Sequence, residues 1–408
     1  MRSSWFDAKD VWERVARYLL VKGYYSGARL AYSRSRPRGD APVTIEVAQI
    51  VSDPGDCFEF EPLSEASQRD FSLEPMGLWS PSQQILAEQR RVLPRVARLE
   101  RGCIFGLSFI SVTKNARACL NGYTHNANNP DKIVMAEDVN TIPLQCPNAL
   151  MGCFKGVDEY DEGVLIGNHE NFGHWLFNHL ARLALTSCAP KLGGVPLVVG
   201  ENIAANQLQC LERMGYRDSM LIRLRKGHLA RFNVLWVPMM PFCGYNSVAH
   251  WAPRIVDFLR DSLGVGKIPA PGRNRRLYLT RRGSRWRRVL NENEIVGDLM
   301  ERGFEIIDPA SLTISQQIEI AGDAEVIMGP FGAGMNLLLF APRDATIIEF
   351  KHHRRTMDIN PLLCRQIGQR YIPVTALPAT SSIDSINADM FVAPEAVREA
   401  LKEANVAL

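Results

Sequence analysis

Several common signatures are missing from this sequence of 408 residues. Its nine cysteines include no Cys-x-x-Cys pair and no Cys and His spacing typical of a zinc site. Scattered cysteines in odd number are typical of buried, reduced thiols, so we expect a cytoplasmic protein. No Gly-x-x-x-x-Gly-Lys-Ser/Thr loop occurs, which disfavours a P-loop nucleotide hydrolase.

Long apolar stretches are missing too. No window of about eighteen residues is both apolar and uncharged, so we predict no transmembrane span. Residues 1–32 carry charges through every apolar stretch and lack the central apolar block of a secretory signal. The formal net charge is only +3, with 46% hydrophobic and 22% charged residues. These values predict an ordinary globular protein and favour no nucleic-acid partner.

The length favours two or three domains. We predict a helical N-terminal extension over 1–40, a Rossmann-like lobe over 41–265, a second Rossmann-like lobe over 266–385 and a C-terminal helix over 386–408. Residues 41–165 predict short strands with long loops. From about residue 164, strand-like and helix-like segments alternate, which indicates βαβ units and a parallel sheet. GKIPAPGRN is the expected linker between the lobes.

The second half has the clearer pattern. RLYLT, FEIID, EVIM and TIIEF read as strands. Asn291 with Glu294 predicts a capping box that opens the helix NENEIVGDLMERG, and Thr313 with Gln316 predicts another before ISQQIEIAGDA. The fold class is therefore α/β.

A glycine-rich loop separates EVIM from MNLLLF. In an open parallel sheet, anions bind where strands end and helices begin, because amide N–H groups are exposed there. Glycines let the backbone approach a phosphate closely, although a tight turn with close helix packing is an alternative. Glu349, which ends TIIEF, is either an acceptor for ribose hydroxyls or a buried carboxylate. The loop glycines are Gly329, Gly332 and Gly334.

Eight arginines lie between residues 273 and 288. Arg281 and Arg282 follow the strand RLYLT, and Arg288 precedes the next helix. Paired N–H donors match phosphate oxygens, so these side chains are candidates for holding a diphosphate. A solvated face or a nucleic-acid patch is the preferred interpretation of two others, Arg285 and Arg287.

The segment NHENFGHWLFNHLARL predicts a helix capped by Asn171. His174, Asn178 and Arg182 are spaced four apart and are expected on one face. A helix that starts at the carboxyl edge of a sheet can present that face to an interlobe cleft. A structural role is the preferred interpretation of His169 and His179.

These segments, taken in order over roughly residues 160–380, resemble glycosyltransferase family 61. The resemblance implies a GT-B-like arrangement of two Rossmann-like lobes with an interlobe cleft, in which the lobe over 41–265 is the acceptor side and the lobe over 266–385 is the nucleotide-sugar side. It also implies an inverting reaction, a nucleotide-sugar donor that is often UDP-linked, and a glycan, polysaccharide or lipid-linked glycan acceptor. No Asp-x-Asp triplet occurs, in agreement with metal-independent catalysis, and no cofactor is expected. The quoted segments are NFGHWLFNHLARL, LERMGY, RLYLTRRGSRWRRVLNENEIVGDLMERGFEIID, SQQIEIAGDAEVIMGPFGAGMNLLLFAP and TIIEF.

The resemblance also implies site residues. Phe331 stands where the family commonly has histidine, and Asn178 where it often has an acidic residue. Leu337 stands where an asparagine is usual, with Asn336 just before it. The matching motif positions are Asn171, His174, Arg281, Arg288, Asn291, Glu292, Gln317, Gly329, Gly332, Ala333, Gly334 and Glu349.

The leading hypothesis makes His174 the base that accepts the acceptor proton, oriented by Asn178 or Arg182. Arg281, Arg288 and the loop amides hold the leaving diphosphate. One alternative, motivated by Asn178 and Phe331, is a degenerate homologue that only binds sugar nucleotides or glycans. A nucleic-acid binder is disfavoured by the charge balance. The sequence leaves open the sugar, the oligomeric state and peripheral association with the inner face of a membrane.

Overall fold

The computed structural model describes residues 96–105, 111–112, 117–119, 141–143, 155–238, 252–266, 275–352, 359–379 and 387–406. The predicted extension over residues 1–40 and most of the predicted linker lie outside these ranges. Within them the chain forms two β-sheets accompanied by helices. The predicted α/β class is confirmed.

The first sheet combines a parallel part with an antiparallel part. Its strands run in the order β5-β4-β3-β2-β9-β6-β7-β8, and β1 also pairs with β9. Strands β9, β6, β7 and β8 are parallel to one another, whereas β1 to β5 pair antiparallel. The strand bounds are β1 (Val96–Glu100), β2 (Cys103–Phe105), β3 (Ser111–Val112), β4 (Arg117–Cys119), β5 (Thr141–Pro143), β6 (Gly156–Leu165), β7 (Leu197–Gly200), β8 (Leu221–Leu224) and β9 (His228–Pro238).

Three helical segments accompany this sheet: α1 (172–187), α2 (Ala205–Arg213) and α3 (Ala252–Leu263). The predicted helix around His174 is confirmed as α1, but its geometry is not uniform. An α-helical turn, Phe172–His174, leads into a π-helical turn, Trp175–His179. A 3-10 turn and a final α-helical piece complete the segment. Because a π-helical turn holds more residues than an α-helical one, residues beyond it are rotated away from the face that a spacing of four predicts.

The second sheet contains the clearest Rossmann-like pattern. Its order is β11-β10-β12-β13-β14-β15, and all of these strands except β15 are parallel. The five parallel strands thus follow the doubly wound order 2-1-3-4-5. The bounds are β10 (Arg275–Leu279), β11 (Phe304–Ile307), β12 (Ala324–Pro330), β13 (Thr346–His352), β14 (Arg370–Pro378) and β15 (Met390–Phe391).

The helices of this half are α4 (Glu292–Glu301), α5 (Ile314–Gly322), α6 (Ile359–Ile367) and α7 (Pro394–Glu403), and a 3-10 helix, Ala333–Leu339, follows β12. The predicted capping box of α5 is confirmed: Thr313 and Gln316 exchange side-chain to backbone hydrogen bonds of 2.9 and 3.3 Å. The predicted box at Asn291 is wrong, because Asn291 makes no side-chain capping bond. No helix in the described ranges has the length and apolar character of a membrane span.

Helices from both halves pack against each other. The largest hydrophobic cluster joins Leu176 and Leu180 of α1 to Leu277 of β10 and Met335 of the 3-10 helix. Arg260 of α3, which is buried, donates to the carbonyls of Leu339 and Ala341 at 2.6 and 2.9 Å. This packing brings the start of α1 close to the loop that follows β12.

Candidate functional site

The candidate site lies where the strand order of the second sheet reverses. Strand β10 has its sequence successor β11 on one side and β12 on the other. Ligands of doubly wound sheets bind at the carboxyl ends of the strands at this switch point. The segments that leave these two ends, residues 280–291 and 331–332, therefore form the place to search for ligand-binding groups.

Gly332 is the closest approach between these two segments. Its φ of +146° is a conformation that residues with a Cβ rarely adopt. A Cβ atom there would lie 2.8 Å from Nη1 of Arg281 and 3.4 Å from Nη1 of Arg287. Two guanidinium groups thus converge on one glycine. Ala333 and Gly334 follow in the first turn of the 3-10 helix, where helical bonding leaves amide N–H groups unpaired.

Arg281 is oriented by its own loop. Its Nε and Nη2 atoms donate to the carbonyl of Trp286 at 3.2 and 3.1 Å, which directs Nη1 towards Gly332. Burial lowers the pKa of Arg281, and Asp308 and Asp389 partly offset that shift. A partly desolvated guanidinium beside a glycine is a suitable group for binding an anion.

Arg287 also faces the glycine loop, which corrects the expectation that it lies on a solvated surface. Its Cζ atom stands 4.2 Å from the ring centroid of Phe331, and its Nη2 donates to Oδ1 of Asn387 at 3.0 Å. The aromatic face attracts the cation and covers part of it. The sequence does not predict the direction of this side chain, because Arg287 lies within a run of arginines that has no helical or strand period.

Phe331 is a buried residue beneath the loop. Its side chain is 2% exposed and belongs to the hydrophobic core of the second half. The backbone N–H donates to the carbonyl of Phe350 at 3.0 Å, and the ring meets that of His352 edge-on at 5.8 Å. Its direct contact with the site is therefore through Arg287.

Two other predicted donor-binding residues hold the loop to β15. Arg288 donates to Asp389 through its backbone N–H, Nε and Nη2 at 2.8, 3.0 and 2.6 Å. These bonds hold the pKa of the Asp389 carboxyl below its usual range. Asn291 accepts from the N–H of Val392 at 3.0 Å and donates to its carbonyl at 2.8 Å. Both residues thus contact the C-terminal segment, and Asn291 also donates to Oε2 of Glu294 at 3.0 Å.

Arg282 is directed away from Gly332. Its Nε donates to Glu292, a buried carboxylate that also accepts from Tyr278 at 2.9 Å and Thr280 at 3.2 Å. This cluster joins the end of β10 to α4. Of the two arginines that follow β10, only Arg281 reaches the glycine loop.

The remaining predicted donor-binding residues lie within the packing of the sheet. A Cβ at Gly329 would lie 2.9 Å from the carbonyl oxygen of Leu279, so this glycine permits close strand packing. Gln317, also buried, donates to the carbonyl of Pro309 at 2.9 Å. Glu349 is 0% exposed and accepts from Asn360 and, at 2.7 Å, from Tyr371.

His174 lies at the start of α1. Asn171 caps this segment, accepting from the N–H groups of Gly173 and His174 at 2.9 and 3.4 Å. Nδ1 of His174 lies 3.2 Å from Oδ1 of Asn178. Since an amide oxygen only accepts, Nδ1 carries the proton and Nε2 keeps its lone pair. Burial, together with the positive charge of Arg287, lowers the pKa of His174, and Asn178 partly offsets the shift. A neutral imidazole able to accept a proton results.

The two neighbouring histidines differ. Nδ1 of His179, which is buried, lies 2.8 Å from the carbonyl oxygen of Ile166, and burial lowers its pKa well below 6.5. His179 is therefore structural, as predicted. His169 lies beside the candidate base: its ring contacts that of His174 at 4.7 Å, and its Nδ1 accepts from the N–H of Asn171 at 2.9 Å, contacts that are compatible with its predicted structural role.

Arg182 does not share the predicted face. It is 0% exposed and donates to the carbonyls of Leu165 and Ile166 at 3.1 and 3.4 Å. The π-helical turn that precedes it explains the difference, because it rotates Arg182 towards the end of β6. Asn178 is the described hydrogen-bonding partner of His174 on this helix.

Asn336 is a polar residue that the sequence analysis did not select. Its side chain is 5% exposed, and its Nδ2 donates to no acceptor among the described residues. A Cβ at Gly173 would lie 3.1 Å from this atom. Its sequence signal is that it is the one polar residue in MNLLLF. In the described part of the chain, no group of three or more His, Cys, Asp or Glu could hold a metal.

One comparison with known proteins gives a match. Residues 172–348 match the family model described as Glycosyltransferase 61. The matched range begins in α1 and ends in β13, so it contains His174, Arg281 and Gly332. The match confirms the family resemblance and supports membership of glycosyltransferase family 61. No curated protein is significantly similar to the chain.

Proposed function

We propose that this chain, with its glycosyltransferase family 61 match, is an inverting transferase that moves a sugar from a nucleoside-diphosphate donor to a glycan hydroxyl. UDP is the proposed leaving group, and the two sheets are the proposed lobes of a GT-B-like arrangement. The family match supports the transferase class. The observation that carries the proposal is the approach of Arg281 Nη1 to Gly332 at the switch point of the second sheet.

The proposed chemistry separates two tasks. The bond between the anomeric carbon and the distal phosphate oxygen breaks, and negative charge develops on the departing diphosphate. Arg281 and the amides of Ala333 and Gly334 stabilise that charge, since preorganised donors act strongly in a site shielded from water. Nε2 of His174 accepts the proton of the acceptor hydroxyl, whose oxygen attacks from the opposite face of the sugar. Configuration at the anomeric carbon is thereby inverted.

Asn178 supports a second proposal, a homologue that binds nucleotide sugars without turnover. A carboxylate hydrogen-bonded to a histidine stabilises the imidazolium that forms when the base accepts a proton, whereas the Asn178 amide carries no charge. His174 is therefore a weaker base than a histidine that is paired with a carboxylate. Release of free sugar from a nucleotide-sugar donor by the purified protein separates the two proposals, because a pure binding protein releases none.

Calorimetry with UDP, GDP and inorganic pyrophosphate tests the anion site. Arg281→Gln is expected to weaken the tightest of these complexes by about 10-fold or more, because a hydrogen bond to a charged group contributes about 1.5–3 kcal/mol. Arg275→Gln is the control, since Arg275 lies at the other end of β10 and pairs with exposed Glu305 at 3.6 Å. A wild-type protein that binds none of the probes contradicts the proposal. Binding lost in EDTA contradicts its metal independence.

A further inference from the structure

Three features meet at the contact between Arg287 and Phe331. Arg287 has a φ of +60°, a left-handed backbone conformation that is unfavourable for residues other than glycine. Its guanidinium covers the ring of Phe331 at 4.2 Å. Its Nη1 lies 3.4 Å from the Cβ position of Gly332. Unfavourable backbone conformations persist only where surrounding contacts hold them, and they occur mainly at functional sites.

The surroundings fix the plane and the direction of this guanidinium. Its Cζ atom lies over the aromatic ring, so the ring covers one face and the N–H groups lie at the uncovered edge. Nη2 donates to Asn387, which fixes the rotation within that plane. Nη1 is then directed towards Gly332, beside Nη1 of Arg281. Two cations held this close repel each other, and an anion with two phosphates relieves that repulsion.

We infer that Arg287 is the second guanidinium of the diphosphate site and that buried Phe331 is the positioning residue that holds it over Gly332. This inference rests on the proposed function and extends it. Phe331 has no charge and does not itself bind the anion. Its proposed role is to orient Arg287, which comes from a neighbouring loop. A lysine cannot replace Arg287, because it lacks the planar face that stacks on a ring.

The inference also connects the anion site to the candidate base. The positive charge of Arg287 lowers the pKa of His174, and the described neighbours of His174 include His169, His179 and Asn178. A diphosphate bound to Arg287 would neutralise part of that charge.

Calorimetric titration with UDP and with inorganic pyrophosphate tests the inference. Arg287→Gln is expected to weaken both complexes about 10-fold or more, and Arg287→Lys nearly as much. Arg285→Gln is the matched control, because Arg285 also stacks on an aromatic ring, at 4.7 Å, but that ring is the exposed Trp286. Its affinity is expected to stay within about twofold of wild type.

The positioning role of Phe331 is tested by a double-mutant cycle. Phe331→Leu alone is expected to weaken UDP binding about as much as Arg287→Gln, and the double variant little more than either. If the leucine variant does not fold, Phe331→Tyr is the substitute test. It keeps the ring and is expected to retain affinity for UDP. Additive losses would overturn the role of Phe331. If Arg287→Gln binds UDP as tightly as wild type while Arg281→Gln does not bind it, the role of Arg287 is overturned. The proposed function would remain in that case. Wild-type protein that binds neither probe would overturn the proposed function itself.

Discussion

Nη1 of Arg281 lies 2.8 Å from the point that a Cβ atom would occupy at Gly332, closer than a side-chain carbon tolerates. The approach is possible because Gly332 has no side chain and adopts a φ of +146°. A side chain at this position would be strained at that φ and would also displace the flexible end of Arg281. A substitution at Gly332 therefore affects both the loop backbone and the position of Arg281.

Gly332→Ala is expected to destabilise the protein by about 1–3 kcal/mol, because the alanine is strained at this φ. It is also expected to displace the end of the Arg281 side chain and to weaken UDP binding about 10-fold or more. Thermal denaturation and calorimetry measure the two effects. Gly297→Ala is the control: no atom lies within 4 Å of its Cβ position inside α4, so a gain of about 0.5–1 kcal/mol is expected. Normal UDP affinity of Gly332→Ala would contradict the assignment of the loop.

The pH dependence of transfer should follow His174. A base acts when neutral, so kcat/KM is expected to fall with decreasing pH through the pKa of His174. Burial lowers that pKa, and the acid limb should therefore have its midpoint below pH 6.5. Because Arg287 lowers the pKa and Asn178 raises it, Arg287→Gln should move the limb to higher pH and Asn178→Ala to lower pH. Shifts in the same direction for both variants would exclude His174 as the titrating group.

The stability of the fold should decrease in mild acid because of His179. Its pKa is well below 6.5 when folded, chiefly through burial and then through Arg182, and returns to about 6.5 when unfolded. The unfolded chain then binds more protons below pH 6.5, so unfolding becomes easier as the pH falls, by up to about 1.4 kcal/mol per pH unit. His179→Asn keeps a donor for the Ile166 carbonyl but does not titrate. Urea denaturation between pH 7 and 5 should show a smaller slope for this variant, and an equal slope would refute the assignment.

Much of the fold follows from periodic patterns. The strands around Leu277, Ile327 and Ile347 are apolar runs between turn residues, and Gly303, with a φ of +78°, follows the end of α4. The π-helical turn at Trp175–His179 could not be predicted in this way. It depends on packing against strands far away in the sequence, and no local pattern records that.

The site was predictable in part, for a similar reason. A glycine after β12 and an arginine after β10 are fixed by strand ends, so the approach of Arg281 to Gly332 agrees with the sequence pattern. Arg288 was assigned to the donor, whereas in the structure it binds Asp389, which is 101 residues away. Arg287 was missed because its direction depends on the Phe331 ring and on a positive φ. A motif identifies residue types, but contacts distant in sequence decide which of them face the ligand.

The last prediction concerns Glu349, for which the sequence left open a ribose contact or a buried carboxylate. The carboxylate is fully buried, accepts from Tyr371 and Asn360, and lies 3.8 Å from Nζ of Lys351, which is itself buried. Glu349→Ala removes the negative partner of a buried cation and is expected to cost about 3–5 kcal/mol of stability. Glu305→Ala removes a comparable partner from exposed Arg275 and should cost less than about 1 kcal/mol. Denaturation curves measure both variants, and Glu349→Gln, which preserves the acceptor for Tyr371, should lie between them. If Glu349→Gln instead leaves stability unchanged and weakens UDP binding more than pyrophosphate binding, the carboxylate contacts the nucleoside and the packing role is wrong.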